Sequence, residues 1–425
     1  MAGVSLSSDS QASAQEPPAD EQSAARSGPE PDHPAGGFFG SPFIGALRRS
    51  AVRAWPAVAA YLALRIISTL VFAVLSAGHG YAQRGLFVFV DSGWYRLIAE
   101  NGYNTHIASF GSPFPFFPLF PGLMRLGHDV TGLNVDVVGV GLAWISAAAC
   151  AWALYEIGAL VRDRRTGIFF AALWALLPSA VIEGASYADA MAISLSAWAL
   201  YALLRRRWIT AGVVGCLAGL TRPTAEALVG TICLAALIEL WKLRGRLGEA
   251  VRGGEFWRPV AAIVIAPAGT IGYLVYVAYR MGSLTGYLKA QKEWGTGFNN
   301  VGDVLHRIHE GMLGTASGYN QYPDLITTAV LLAVPVLIVL LLMERVPWQL
   351  SCYTIVLAAL VYASIHVYTV VPREFLALFP LLLPFASRLA RVDRRTGVWV
   401  LLAVLAVAAG WYACYIPINA GGAIP

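Results

Sequence analysis

Charge is scarce in this chain. Of its 425 residues only 13% are Asp, Glu, Lys or Arg, whereas 57% are hydrophobic and the mean hydropathy is +0.61. That balance excludes an ordinary soluble enzyme. Apolar spans of about 20 residues recur along the chain, as a bilayer core of roughly 30 Å requires. Cysteine is also scarce. The five present, Cys150, Cys216, Cys233, Cys352 and Cys414, lie within apolar stretches without metal-ligand spacing. Small buried side chains are expected from them, not a disulfide framework. There is no Walker-type loop and no dinucleotide fingerprint. No segment between the spans is large enough to fold alone, and no internal repeat is evident. The net charge of +5 sits in short basic clusters between spans, which speaks for membrane topology and against nucleic acid as a partner.

Residues 1–42 are rich in Ser, Ala, Pro, Glu and Asp and hold no apolar run. A disordered cytoplasmic tail is expected there, with no signal peptide. Arg48, Arg49 and Arg53 precede the first span, at 55–76. By the positive-inside rule they place the N-terminus in the cytoplasm and the next loop outside. A second span follows at 135–161, then a third and a fourth that meet at a short turn around 183–187. The basic clusters at 162–165, 205–207 and 242–258 share one face if 208–241 crosses twice. That requires two short helices turning at Thr221-Arg222-Pro223-Thr224. Spans at 259–279, 324–343, 349–370, 375–389 and 398–416 complete a bundle of about eleven. The fold expected is an all-α polytopic membrane domain over 43–425, with long outer loops at about 77–134 and 281–323.

The first of these loops carries the most information. Asp91 opens a helix-like segment with Trp94, Leu97 and Ile98 on one side and Arg96, Glu100 and Asn101 on the others. Asn101-Gly102 supplies a stop. Four prolines between Pro113 and Pro121 then bar an ordinary helix across the phenylalanines. An amphipathic element on the membrane surface beside a rigid aromatic turn is predicted.

Glycosyl transfer onto a hydroxyl needs a base, a cation for the departing phosphate and a seat for the sugar. Asp91 fits a base, and equally a helix cap. Glu183 and Asp189 flank the third-to-fourth turn, where solvation and capping would explain them. Arg222 in the TRPT turn is either a cation snorkelling to headgroups or a phosphate contact. Arg373 in VPREF carries the same two readings. Lys289, Gln291, Lys292 and Trp294 combine cations with an aromatic plane, which suits a phosphate and a sugar face as well as an interfacial anchor. Arg65 lies inside the first span and must face the bundle, either as a partner for an acid such as Glu226 or as part of the site. His306 and His309 share a helix face but lack a carboxylate partner, and no HExxH pattern is present.

The ordered set Asp91, Trp94-Tyr95, Ile98-Ala99, Gly102-Tyr103 and Phe116-Phe117-Pro118-Leu119-Phe120-Pro121 resembles the first outer loop of the PIG-V-like mannosyltransferases. These are membrane enzymes of the GT-C glycosyltransferase architecture. Ser186-Tyr187-Ala188-Asp189, the TRPT turn and 291–297 resemble further segments of that family in the right order. Val90 stands where the family has Trp, and Asp189 where it favours Glu. The resemblance implies an inverting transfer from a polyprenyl-phosphate mannose, outside the plasma membrane, to a glycan, glycolipid or protein acceptor. It implies Asp91 as the base, with Trp94, Tyr95, Tyr103, Asp189, Arg222, Lys289, Gln291, Trp294 and Arg373 as the substrate- and donor-binding set. No cofactor beyond the lipid-linked sugar is expected, a divalent metal being left open. The alternative class is a transporter, flippase or non-catalytic binder of lipid-linked sugars. Transporters usually set ionisable groups at mid-span, whereas the polar content here is concentrated in the loops.

Overall fold

The computed structural model describes residues 42–78, 88, 90–104, 111–177, 179–294, 301–313, 321–364 and 371–419. The chain divides into residues 1–50 and a main body, Ala51–Pro425, which holds every feature below except the start of the first helix. The main body is a helical membrane bundle. Among the described residues, six helices are long and apolar enough to cross a bilayer. They are α1 (Pro42–Gly78), α4 (Val135–Val161), α8 (Glu226–Leu243), α10 (Trp257–Met281), α13 (Gln321–Met343) and α17 (Arg395–Asn419). Shorter apolar helices lie among them: α6 (Asp189–Leu204), α7 (Trp208–Gly219), α14 (Trp348–Ala363) and α16 (Leu383–Ala390). Val74, Ile145, Val264, Val336 and Val404 are exposed along the outward faces of the long helices. In water such a surface would be costly, and in lipid it is the expected one.

The expected hairpin over 208–241 is present as α7 and α8, joined through a turn at Thr221–Thr224. Two expected spans differ. The third is only the 11-residue α5 (Arg164–Trp174), followed by a turn through Ser179, at φ 63°, into a 3-10 segment, Ala180–Gly184. The tenth is not one helix over 375–389. Pro380 and Pro384 interrupt it, leaving the four-residue α15 (Val371–Glu374), two 3-10 turns and α16. Both breaks fall where side chains of the site arise.

Close helix approach is built on glycine. A Cβ on Gly269 of α10 would lie 2.0 Å from the Cys216 carbonyl of α7, and one on Gly219 would lie 2.5 Å from Thr270 Oγ1. Gly158 of α4 meets the Gly167 Cα of α5 in the same way. With lipid outside the bundle, such small-residue contacts replace the hydrophobic drive that water would supply. The α7–α10 contact at Gly219 lies at the end of α7, three residues before Arg222.

The first long loop folds as α2 (Val90–Asn101), an irregular Pro-Phe segment and α3 (Leu119–Thr131). Helix starts again at Leu119, so Phe120 and Pro121 occupy its first turn, where a missing N–H costs nothing. Phe114, Phe116 and Phe117 remain outside helix, as the prolines demand. The loop is tied down at several points. Leu119 N–H donates to the Leu220 carbonyl at 2.9 Å, and the Tyr103 hydroxyl donates to the Phe116 carbonyl at 2.6 Å. α11 (Gly286–Glu293) of the second long loop lies beside it, and Trp294 Nε1 donates to the Ser112 carbonyl at 2.9 Å.

Candidate active site

Three acids and two arginines from four parts of the chain form one continuous chain of ion pairs. Arg373, on α15, uses all three guanidinium nitrogens. Nε and Nη2 grip Asp189 at 3.0 and 2.8 Å, and Nη1 donates to Asp91 Oδ2 at 2.7 Å. Arg222, in the α7–α8 turn, donates through Nη1 to Asp189 and through Nη2 to Glu374 at 2.6 Å. Asp189 is at the centre, its side chain 5% exposed and held by both cations. Asp91 and Glu374 are at the two ends, each 25% exposed.

The local folding explains how each group arrives. Asp91 falls in the first turn of α2, where the helix dipole favours an acid. Its carboxylate reaches Arg373. Asp189 begins α6 without capping it, and neither Asp189 nor Arg222 is solvated as a headgroup-seeking side chain would be. Both arginines stay charged. Burial works against the Arg373 cation, but the Asp189 and Asp91 carboxylates outweigh it and hold the group above its ordinary value. Arg222 is raised too, with burial outweighed by Asp189 and Glu374. Tyr187 lies under the pair. Its ring centroid is 4.4 Å from the Arg373 guanidinium carbon, and its hydroxyl accepts the Asp91 backbone N–H at 3.4 Å.

Beneath Asp91 the aromatic residues pack on one another. Trp94 stacks on Phe116 at 5.7 Å and meets Trp294 edge-on at 5.2 Å, and Tyr95 meets Phe116 and Phe120 edge-on. Trp94 and Tyr95 are buried, so they carry α2 and with it Asp91. Burial raises the Tyr95 hydroxyl, an effect Arg222 only partly counters. Tyr103 stacks on Phe114 at 5.7 Å. Thus of the residues singled out in the sequence, Asp91, Asp189, Arg222 and Arg373 converge, while Trp94, Tyr95, Tyr103 and Trp294 support them. Lys289 donates to Ser283 Oγ at 3.2 Å within its own loop and forms no ion pair among the described residues. Gln291 donates to the Tyr287 hydroxyl at 2.6 Å.

Sequence reasoning missed Glu374 and Tyr187 as members. A signal for Glu374 was present: an acid directly after Arg373, at the start of a proline-broken segment, needs a cation of its own. Two other expectations are corrected. Glu183 is fully buried, not solvated in an outer turn. It accepts the Tyr61 hydroxyl at 3.0 Å and feels the charge of the buried Arg65, whose Nη1 donates to Ser68 Oγ at 3.3 Å, while Glu226 is exposed. Burial pushes Glu183 up to about 8, Arg65 and Tyr61 opposing. His306 does have a carboxylate partner, Glu310 one turn on at 3.3 Å, but among the described residues no group of three or more metal-ligating side chains forms.

No family model and no curated protein matches the chain. The likeness to PIG-V-like mannosyltransferases therefore rests on its motifs alone. Solved structures do match. ArnT from Cupriavidus metallidurans, bound to undecaprenyl phosphate, aligns with a TM-score of 0.50 and 15% identity, over 86% of this chain and 66% of that one. The bundle is GT-C-like. The apo oligosaccharyltransferase from Archaeoglobus fulgidus aligns more weakly, with a TM-score of 0.46 and 14% identity over 82% of this chain and 56% of that one. The chain spans about two thirds of the ArnT length, so the GT-C-like core is what the two have in common.

Proposed function

We propose that the chain is an integral-membrane glycosyltransferase that moves a hexosyl residue, mannose by the motif resemblance, from a polyprenyl-phosphate donor to an acceptor hydroxyl. The observation that carries this reading is the ion-pair chain itself. A carboxylate stands at one end of two fixed, permanently charged guanidinium groups, and it is mounted on a rigid aromatic loop at the edge of an apolar bundle. Asp91 takes the acceptor proton as the hydroxyl attacks the anomeric carbon, and the configuration inverts. Arg222 and Arg373 hold the phosphate as its bond to the sugar breaks and negative charge gathers on it. Because both cations are in place before the substrate, little reorganisation is needed at the moment of reaction.

The donor chemistry is supported by the undecaprenyl phosphate bound to ArnT, whose fold this bundle resembles. A long isoprenoid tail needs an apolar lateral path, and the lipid-facing helices offer one. The positive-inside pattern supports a cytoplasmic N-terminus and a site on the extracytoplasmic face of the plasma membrane.

The test is a transfer assay with the purified protein in nanodiscs, using radiolabelled polyprenyl-phosphate mannose and a membrane extract as the acceptor source. Label is expected to leave the donor lipid in the wild type and to stay on it in Asp91→Asn. Lipid-linked sugar that crosses a vesicle bilayer without any transfer would instead identify a flippase.

A further inference from the structure

The ion-pair chain is over-supplied with negative charge. Two guanidinium groups face three carboxylates, so the ligand-free site carries one net negative charge with every member ionised. An anionic lipid phosphate entering such a site would be repelled unless one carboxylate withdrew. The three acids are not equally able to do so. Asp189 is buried and gripped by both arginines through three hydrogen bonds. Asp91 lies on the far side of Arg373, on the well-packed α2. Glu374 matches Asp91 in exposure and in having a single ion pair, but it differs in reach and in the element that carries it. It makes a single ion pair, to Arg222, its side chain is a quarter exposed, and it has the longest side chain of the three. It sits on a four-residue helix in the proline-broken segment. It also lines a small cavity together with Arg222, Arg373, Asp189, Thr224 and Ala377, and Asp91 is not among the residues lining that cavity.

We propose that Glu374 is an internal stand-in for the donor phosphate: it occupies Arg222 in the empty site and is displaced when a lipid phosphate enters the cavity between Arg222 and Arg373. The proposal deepens the glycosyltransferase reading and rests on it. A carboxylate and a phosphate oxygen make the same kind of charge-assisted bond to a guanidinium, so one replaces the other without loss of geometry. The exchange lets the protein stay folded around two arginines in the absence of substrate. It also sets a threshold for binding, because an uncharged prenol cannot compete with Glu374 for Arg222.

The test is equilibrium binding of undecaprenyl phosphate, with undecaprenol as the uncharged comparison, to the wild type, Glu374→Gln, Glu374→Asp and Arg222→Gln. Removing the competing charge should tighten undecaprenyl phosphate binding about tenfold in Glu374→Gln, the effect of one charge-assisted bond no longer having to be broken. Undecaprenol binding should not change. If Glu374 is instead a clamp that orients Arg222, Glu374→Gln will bind the phosphate equally or more weakly, and the proposal fails. Glu374→Asp keeps the charge but is one methylene shorter; its poorer reach to Arg222 should tighten undecaprenyl phosphate binding in the same direction, and unchanged or weaker binding there counts against the proposal should Glu374→Gln not fold. A wild-type structure with undecaprenyl phosphate bound supplies an independent readout: an intact Arg222–Glu374 pair in it overturns the proposal. Binding that is lost in Arg222→Gln but unaltered in Glu374→Gln overturns the stand-in role alone. Binding indifferent to Arg222 would overturn the phosphate seat itself, and the stand-in with it.

Discussion

Arg373 and Asp91 are 282 positions apart in the chain and 2.7 Å apart in the fold. The pairing uses only Oδ2 of the carboxylate, and the remaining two donor nitrogens of Arg373 are committed to Asp189. A proposed base is thus held in orientation by a group that also belongs to the proposed phosphate seat.

That geometry makes Asp91→Asn informative. The amide oxygen can still accept from Arg373, which keeps Asp189 as its counter-ion, and a neutral side chain in the first turn of α2 costs about 0.3–1 kcal/mol. Folding should therefore survive, with thermal unfolding close to that of the wild type. Turnover should fall by about 10²- to 10⁴-fold, the usual loss on removing a general base. An Asn variant that transfers sugar at the wild-type rate would end the assignment.

Arg373→Lys tests the fork. Lysine keeps the charge but cannot donate to Asp91 and grip both oxygens of Asp189 in one plane. A loss of about 1–3 kcal/mol of stability is expected. Arg373→Gln should cost more, about 3–5 kcal/mol, because it takes one of two cations from the buried Asp189 as well as the cation paired with Asp91. Thermal unfolding of the purified proteins ranks the three. Equal stability of Lys and Arg at this position would mean that charge alone matters.

Glu183 predicts a pH profile. Burial raises it from an ordinary value of 4.5 to about 8, so the folded protein binds more protons than the unfolded chain between those values. Its contribution to stability is complete below about pH 4.5 and is lost as pH rises toward 8, with a slope of at most about 1.4 kcal/mol per pH unit. Glu183→Gln should remove that slope. Melting temperatures of the two proteins from pH 4.5 to 8 give the comparison, and parallel curves would place the carboxyl in a more solvated setting than its burial implies.

Gly269→Ala should act at a distance. The new Cβ would meet the Cys216 carbonyl, so α7 and α10 must separate. Overpacking of this kind costs about 1–3 kcal/mol. Because α7 ends just before the turn that carries Arg222, weaker binding of undecaprenyl phosphate is expected together with the lower melting temperature. Destabilisation with unchanged binding would show that the turn is positioned by α8 instead.

Much of the architecture follows from local pattern. Apolar runs of bilayer length mark the long helices, and basic clusters give the rhythm of the connections. The TRPT turn splits 208–241 into two helices, and the prolines keep Phe114 to Phe117 out of helix. The places where this reasoning failed are two helix breaks. Neither the turn at Ser179 nor the interruption of 375–389 has to occur for the apolar pattern to be satisfied. At the second break the freed Leu376 and Ala377 carbonyls accept from Trp174 Nε1 and the Tyr353 hydroxyl on neighbouring helices, and at the first the chain closes on local bonds from Ala180 N–H to Leu177 and from Ile182 N–H to Ser179.

The sequence by itself determined that this is a helical membrane protein, and that Asp91, Asp189, Arg222 and Arg373 are charges an apolar chain must find a use for. Hydrophobicity and periodicity act along the chain, within the reach of a single helix. Only the tertiary structure decided which charge meets which. Asp189 lies 33 positions from Arg222 and 184 from Arg373, and Arg222 lies 152 from Glu374. Those distances are closed by the packing of helices far apart in sequence, which no local pattern specifies.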